Sequence, residues 1–306
     1  MHRLSSALYA NTRVNGYFKK SVWWLPVVLY SADANAWGLV THLYFAQSLL
    51  WAMPLLDPRL QNAIKRFPQL VMAGACLPDL AVVSRKFKQS HSWDNAHQLL
   101  RRAQNDEELA LAIGYASHLY VDVIAHNHFV PAHEVMWASR FNWLTKFKNA
   151  QPEQHSMLTH IASEWAMDAY LTPIMNTSPR KLLTENIALI TPFIAQQFQR
   201  SERSTLAALK RLAFWDGVLR RVKLPTIIFK FSGLLDRRIV PHFMYYIAET
   251  QVAVENIGTV LNGHKPAVEA ELRHLDAAAL HHWRQECLSH LSLQHPSPIQ
   301  YFEPRV

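Results

Sequence analysis

The chain has 306 residues, of which 50% are hydrophobic and 18% are charged. That length and composition suffice for one large domain, or two small ones, with a substantial buried core. Only eight residues are glycine, which favours helices over a β-sandwich or a barrel. The formal net charge of +8 fits anionic lipids or nucleic acids as partners, but it also fits ordinary solubility, because the basic residues are scattered along the chain. Charge therefore excludes none of these classes.

Residues 1–36 have the features of an export signal. Basic residues precede an apolar run at residues 22–30, and a small-x-small motif at residues 34–36 is of the type that signal peptidase accepts. The apolar run is too short for a stable transmembrane helix. A retained anchor or a buried amino-terminal helix are the alternatives. Cleavage after the motif would make Trp37 the first residue of an exported chain, periplasmic or secreted.

The spacing of apolar residues after this segment predicts a series of helices with short breaks. They are predicted near residues 40–54, 58–73, 92–102, 106–125, 153–171, 184–198, 204–222, 241–261 and 268–292. A turn at residues 74–79 and a loop at Pro131 interrupt the series, and Pro192 is expected to kink or break its helix. No internal repeat or β-hairpin signal is present. The predicted fold is all-α, a single multi-helix bundle domain over residues 37–293 with a tail at 294–306.

The two cysteines, Cys76 and Cys287, lie far apart in the sequence and form no CxxC motif. They are either bridged, as an oxidising compartment would allow, or two buried thiols. The sequence leaves both possibilities open.

Histidine, the commonest metal ligand among side chains, is concentrated in one part of the chain. Eight of the 17 histidines fall within 70 residues: His91, His97, His118, His126, His128, His133, His155 and His160. His118 pairs with Asp122, and His160 with Glu164, at a spacing that puts both side chains on one face of a helix. Apolar residues flank both pairs, and a buried carboxylate is costly unless a positive charge neutralises it. A metal ion would supply that charge.

Two further patterns precede these pairs: Asp79 ends the turn GACLPD, and His91 opens the segment HSWDNAH. Each pattern alone is more often a solvated helix pair or a hydrogen-bonded core histidine. Their ordered occurrence within the 86 residues from Asp79 to Glu164 predicts a metal site instead. Carboxylates mixed with imidazoles, without a thiolate, favour zinc over manganese or iron.

Taken together, these residues resemble the bacterial zinc-dependent phospholipases C and, more distantly, the fungal single-strand-specific zinc nucleases. The resemblance covers roughly residues 37–172 and, more loosely, the helical remainder. The motifs that carry it are Trp37-Gly-x-x-x-His42, Gly-x-x-x-Pro-Asp79, His91-x-Trp-Asp, His118-x3-Asp122-x5-His128 and His160-x3-Glu164. The resemblance implies a helical domain with three zinc ions.

The resemblance also implies how the ligands are shared among the zinc ions. The first zinc would be held by Trp37, through its free amino group and carbonyl oxygen, with His42 and Asp122. The second would be held by Asp79, His91, His118 and Asp122, so that Asp122 bridges the two. The third would be held by His128, His160 and Glu164. His128 is preferred over His126 because it follows His118 by the family interval of ten residues. Asp94 and Asp168 are either partners that orient ligand imidazoles or surface carboxylates. His126, His97, His133 and His155 are expected either to support the ligands or to lie at the surface.

Hydrolysis of a phosphodiester without a covalent intermediate is the activity that the resemblance implies, with zinc activating water and Asp79 as general base. The favoured substrate is a glycerophospholipid, cleaved by a phospholipase C reaction to diacylglycerol and a phosphorylated head group. The partner would then be a phospholipid or a membrane surface. The alternatives are a single-strand-preferring zinc nuclease, which alone would bind nucleic acid, and a non-catalytic periplasmic metal-binding protein. GxSxG and GxxxxGK[ST] motifs are absent, so no nucleophile elbow or phosphate loop competes.

Three features depart from the phospholipase pattern. The short interval from Trp37 to His42 is similar to that of the nucleases, whereas the GxxxPD turn is similar to that of the phospholipases. No carboxyl-terminal β-sandwich follows residue 172, so a toxin-like membrane-docking domain is not expected. A nuclease would add aromatic stacking platforms, for which Trp93, Trp137, Phe141 and Trp143 are candidates, although core packing or lipid contact explains them equally well.

Overall fold

A computed structural model describes residues 38–52, 54, 56–130, 133, 157–254 and 257–264. The regular α-helices of these residues are α1 Leu39–Ala52, α2 Pro58–Arg66, α3 Pro68–Gly74, α4 Leu80–Val83, α5 Trp93–Arg102, α6 Asp106–Ile124, α7 Met157–Leu171, α8 Pro179–Glu185, α9 Ile187–Gln197, α10 Glu202–Arg221, α11 Leu224–Leu235, α12 Ile239–Val254 and α13 Ile257–Leu261. Short 3-10 turns follow α4 and α7, and a π-helical turn continues α6. The described residues contain no strand. The all-α prediction is confirmed.

Helix α6 is the central element of the fold. Its residues from Leu109 to Ile124 are buried on every side, as expected of a helix that is apolar all round. Asn105 caps its amino terminus by accepting a hydrogen bond from the Glu108 N–H at 2.8 Å, and the Glu108 carboxylate accepts one from the Gln104 N–H at 2.8 Å. Three acidic residues in the first turn further stabilise that end through the helix dipole. Helices α1, α2, α3, α5, α12 and α13 surround α6.

The packing of α3 against α6 depends on two glycines. A Cβ added at Gly114 of α6 would overlap the Val71 carbonyl oxygen of α3, and one added at Gly74 would overlap the Leu111 carbonyl oxygen. The two backbones are therefore in direct contact. This contact brings the turn that follows α3 close to the carboxyl-terminal half of α6.

Several helix boundaries differ from the prediction for reasons of backbone chemistry. The helix expected over 58–73 is divided into α2 and α3 because Pro68 has no N–H to continue the ladder and instead opens a new helix. The helix expected over 184–198 is broken at Asn186, and Pro192 lies inside α9. Helix α11 was not predicted at all.

Other predicted features lie outside the described residues. These are the export signal at 1–36, the loop at Pro131, the helix at 268–292, the tail at 294–306 and Cys287. Cys76 is a buried free thiol. Among the described helices, none has both the length and the apolar composition that a bilayer span requires.

Candidate metal centre

Four segments of the chain bring their polar side chains to one buried point beside α6. Helix α1 contributes His42, and the turn after α3 contributes Asp79, which precedes the short helix α4. His91 lies just before α5, and α6 itself contributes His118 and Asp122. Of the predicted ligands, the structure therefore brings these five together.

The Asp122 carboxylate is the centre of this group. Its Oδ2 lies 3.1 Å from His118 Nε2 and 3.4 Å from His91 Nε2, and its Oδ1 lies 3.3 Å from His42 Nε2. Asp79 Oδ1 lies further out, at 3.8 Å from His91 Nε2 and 3.9 Å from His118 Nε2. Zinc with nitrogen and oxygen ligands at about 2.0–2.2 Å in a tetrahedron keeps its ligand atoms about 3.3 Å apart. The spacing of these atoms fits that geometry.

These residues form two groups that satisfy metal-ligand spacing. His42, His118 and Asp122 each offer one ligand atom, and the three atoms lie within 4.8 Å of one another; the same holds for Asp79, His91 and His118. The shared His118 joins the two groups. The His42 and His118 rings also stack, with centroids 3.6 Å apart and an interplanar angle of 18°, so packing fixes their orientation.

A hydrogen bond to the backbone determines which nitrogen of His118 faces the centre as a ligand. His118 Nδ1 lies 2.7 Å from the Ala75 carbonyl oxygen. A carbonyl oxygen only accepts, so Nδ1 carries a proton and Nε2 is the ring nitrogen that faces the centre. His118 Nε2 lies 3.2 Å from His91 Nε2 and faces the carboxylates of Asp79 and Asp122. A metal ion among these atoms would be held by imidazole nitrogens and carboxylate oxygens together.

Asp79 provides a second test of the fit. Its Oδ1 atom is buried and accepts no hydrogen bond from the described residues. An orphaned buried carboxylate oxygen costs free energy unless it is neutralised. An oxygen that faces two imidazole nitrogens at such distances suits a metal ligand. The residues present therefore fit zinc.

Burial and neighbouring charges set the protonation states of this centre. Burial would raise the pKa of Asp122, but the interactions with His118 and His42 outweigh it and hold this pKa well below its usual range. Burial lowers the pKa of His91 to about 3, so its imidazole is neutral and can bind a metal near pH 7. Burial raises the pKa of Asp79 well above its usual range, and His118 offsets this only in part. The centre thus combines a charged central carboxylate with a neutral imidazole and a more basic carboxylate.

The predicted third group of ligands is described only in part. Glu164 is buried on α7, near enough to Asp79 for its charge to raise the Asp79 pKa further. Trp37 lies outside the described residues, as do the side chains of His128 and His160. Their assignment as ligands stays a prediction.

His126 lies closer to the centre than the sequence interpretation assumed. It occupies the π-helical turn Ala125–Phe129, is buried, and places Nε2 at 3.7 Å from Asp122 Oδ1. The i, i+4 spacing from Asp122 was a signal for this neighbourhood. The sequence does not reveal the π turn in which His126 lies.

Asp168 has neither of the two roles expected from the sequence. It is not at the surface, and its carboxylate binds the backbone and a hydroxyl group rather than a ligand imidazole. It is buried on α7, and its oxygens accept hydrogen bonds from the Val40 N–H at 3.2 Å and from the Thr41 N–H and hydroxyl at 2.8 Å each. Burial raises its pKa to about 6. A Cβ added at Gly38 would overlap the Asp168 carboxylate. Asp168 therefore caps the first turn of α1, directly after the predicted amino-terminal Trp37.

The remaining candidates are distributed elsewhere. His97 is buried and stacks on Trp93, which belongs to the hydrophobic core. His133 is buried beside Phe129, and Asp94 is exposed. His155, Trp137, Phe141 and Trp143 lie outside the described residues.

Comparison with known proteins gives one family. The family model described as zinc-dependent phospholipase C matches residues 41–207, which is more than half of the chain. The matched region contains the five residues that the structure brings together. Neither a curated protein nor a solved structure matches the chain significantly.

Proposed function

The chain belongs to the zinc-dependent phospholipase C family, and from this premise we propose that it hydrolyses glycerophospholipids to diacylglycerol and a phosphorylated head group. Membership of the family supports zinc as the metal and phosphodiester hydrolysis as the class of reaction. The observation that carries the proposal is the convergence of His42, His91 and His118 on Asp122, with their Nε2 atoms at 3.1–3.4 Å from its carboxylate oxygens. We further propose that residues 1–36 direct export and are removed.

The proposed ligand sets follow the family pattern. Trp37, His42 and Asp122 would hold one zinc, Asp79, His91, His118 and Asp122 a second, and His128, His160 and Glu164 a third. Bound zinc supplies Lewis-acid chemistry, which polarises the phosphoryl group and offsets the negative charge that develops in the transition state.

The chain's own residues prepare the site for this reaction. The Ala75 carbonyl orients His118 so that Nε2 faces the centre, and the neighbouring imidazoles keep Asp122 charged. We propose Asp79 as the general base, which takes a proton from the water that attacks phosphorus. The new bond joins the water oxygen to phosphorus, and the bond from phosphorus to the glycerol oxygen breaks. That oxygen takes the proton held by Asp79 and leaves as the hydroxyl of diacylglycerol.

The test uses the exported, purified chain and two substrates, dispersed phosphatidylcholine and single-stranded DNA. We expect release of phosphorylated head group that stops with a chelator and returns with added zinc. Asp122→Asn keeps the shape but removes the bridging charge, and should lower the rate at least about a hundredfold, since even residues behind metal ligands are worth about 10–100-fold. Glu107→Gln is the matched control, because it removes an exposed carboxylate from the first turn of the same helix, α6.

Three outcomes would contradict the proposal. Zinc-dependent cleavage of DNA without cleavage of lipid would assign the nuclease activity instead. Absence of turnover on both substrates in a zinc-loaded chain would favour a metal-binding protein. Equal rates in Asp122→Asn and Glu107→Gln would exclude the Asp122 centre as the site of reaction.

A further inference from the structure

Helix α11, which lies outside the region matched by the family model, has an unusual surface. Three large apolar side chains project from it into solvent: Ile227 is 58% exposed, Phe231 54% and Leu234 85%. Their spacing of four and then three residues places them on one face of the helix. Isolated exposed apolar residues are normal, but an aligned row is typical of an interaction surface. We call this row the α11 face.

The opposite side of α11 packs firmly on the rest of the domain. The Phe229 ring lies 5.9 Å from the Tyr170 ring of α7 and 6.0 Å from the Phe243 ring of α12, measured between centroids. Ser232 is fully buried on this side. The α11 face is therefore held in place by α7, the helix that also carries Glu164 and Asp168.

The surroundings of the α11 face are strongly basic. Residues 220–238 contain six cationic side chains: Arg220, Arg221, Lys223, Lys230, Arg237 and Arg238. Their one acidic residue, Asp236, binds Arg238 at 2.6 Å, and Asp216 binds Arg220 at 2.9 Å. The four other cations are exposed. One of them, Lys230, is three residues from Ile227 and four from Leu234, which puts it on the side of the helix that carries the apolar row, and Lys223 directly precedes the helix.

We propose that the α11 face docks on the surface of an anionic phospholipid bilayer, with its three apolar side chains inserted among the lipids. An apolar stripe bordered by lysine and arginine is the pattern of helices that lie in the membrane interface, where both burial and attraction to anionic lipid contribute. A second copy of the chain fits less well, because two such faces would bring like charges together. Since the proposed substrate is a glycerophospholipid, docking rests on that proposed function and extends it to membranes.

The test measures binding separately from turnover. Wild-type chain is sedimented with vesicles of phosphatidylcholine alone or with phosphatidylglycerol added. We expect binding to the anionic vesicles that weakens on raising salt to about 1 M, where the Debye length is about 3 Å. Lys223→Gln with Lys230→Gln should weaken binding on the order of thirtyfold, because each cation near an anionic surface contributes about fivefold.

Polar substitution of the apolar row tests insertion. The triple variant Ile227→Ser, Phe231→Ser and Leu234→Ser should lose vesicle binding and activity on bilayers, but keep wild-type activity on a monomeric short-chain lecithin. Phe214→Ser is the matched control, since Phe214 is 59% exposed but lies on α10, and it should bind as wild type does. If the chain never cleaves the short-chain substrate, the proposed function fails while the sedimentation result still decides docking.

Several results would overturn docking. These are wild-type binding no stronger to anionic than to neutral vesicles, an equal loss in the Phe214→Ser control, and unchanged binding in the triple variant. A wild-type dimer that the triple variant converts to a monomer would assign the face to a second copy of the chain. Single-stranded DNA that binds through Lys223 and Lys230, without vesicle binding, would assign it to nucleic acid.

Discussion

Replacement of Gly38 by alanine would test how the first turn of α1 is held against α7. A Cβ at this position would overlap Cγ and both oxygens of Asp168. The carboxylate cannot move aside freely, because it is buried and accepts three hydrogen bonds at 2.8–3.2 Å from Val40 and Thr41. Either these bonds or the start of α1 must shift.

The size of the effect follows from those contacts. Overpacking of a tight site costs about 1–3 kcal/mol, and each hydrogen bond to a charged group that is weakened adds up to about 1.5–3 kcal/mol. We expect Gly38→Ala to lower the free energy of unfolding by about 2–4 kcal/mol. For a domain of this size that is a fall of Tm on the order of 10 °C.

Thermal and urea unfolding of the purified chain provide the assay, with Gly233→Ala as control. Gly233 lies in α11, and an added Cβ there meets no atom within 4 Å, so alanine should stabilise the chain by up to about 1 kcal/mol through helix propensity. A Gly38→Ala variant within about 0.5 kcal/mol of wild type would refute the view that the contact with Asp168 fixes the start of α1.

Two further predictions concern the contacts of Asp168, and a third concerns the packing of α3 against α6. Burial raises the Asp168 pKa to about 6, so the unfolded chain loses this proton at a lower pH than the folded chain does. The free energy of unfolding should therefore fall by roughly 3 kcal/mol as the pH rises from about 4 to 6. Urea titrations of Asp168→Asn should lack this pH dependence, and an equal dependence in the variant and the wild type would contradict the prediction. Thr41→Val removes the hydroxyl that donates to Asp168 and should lower the free energy of unfolding by about 1–3 kcal/mol. The control Thr191→Val loses only a hydrogen bond within α9 and should lower it by less in the same urea assay. The Cβ added by Gly114→Ala would overlap the Val71 carbonyl oxygen. The substitution should lower the free energy of unfolding by about 3 kcal/mol or more and reduce the amount of bound zinc, as measured by calorimetry and metal analysis. Wild-type values in both measurements would show that α3 and α6 can separate without harm.

The sequence predicts those parts of the fold that depend on local chemistry. Helix α6 was expected over residues 106–125 and runs over Asp106–Ile124, because its caps and its continuous apolar character are both local signals. Helix α11 was missed because Pro225 and apolar residues on both of its sides conceal the helical period. Pro225 lies in the first turn, where a missing N–H leaves no bond unmade.

In the candidate site, too, local spacing predicts some features, whereas others depend on the tertiary fold. The spacing of His118 and Asp122 predicts a shared helical face, and the structure shows both at the centre of the cluster. The role of Asp168 was not predictable, although its spacing of four residues from Glu164 was visible. Its partners Val40 and Thr41 precede it by more than 120 residues, and only the tertiary fold brings a backbone N–H to a carboxylate across such a distance.

The cap formed by Asp168 makes the export hypothesis testable at the level of the metal site. Gly38 is fixed against Asp168, and it directly precedes α1, the helix that carries His42. If cleavage after Ala36 frees the amino group of Trp37 as a ligand, blocking that cleavage removes one ligand while the Asp168 contacts stay intact. We therefore expect an uncleaved chain to unfold at nearly the wild-type temperature in chelator, but to bind one zinc fewer and to lose activity about a hundredfold or more. Equal zinc content in cleaved and uncleaved chains would exclude the amine of Trp37 as a ligand and leave His42 and Asp122 to bind the metal without it.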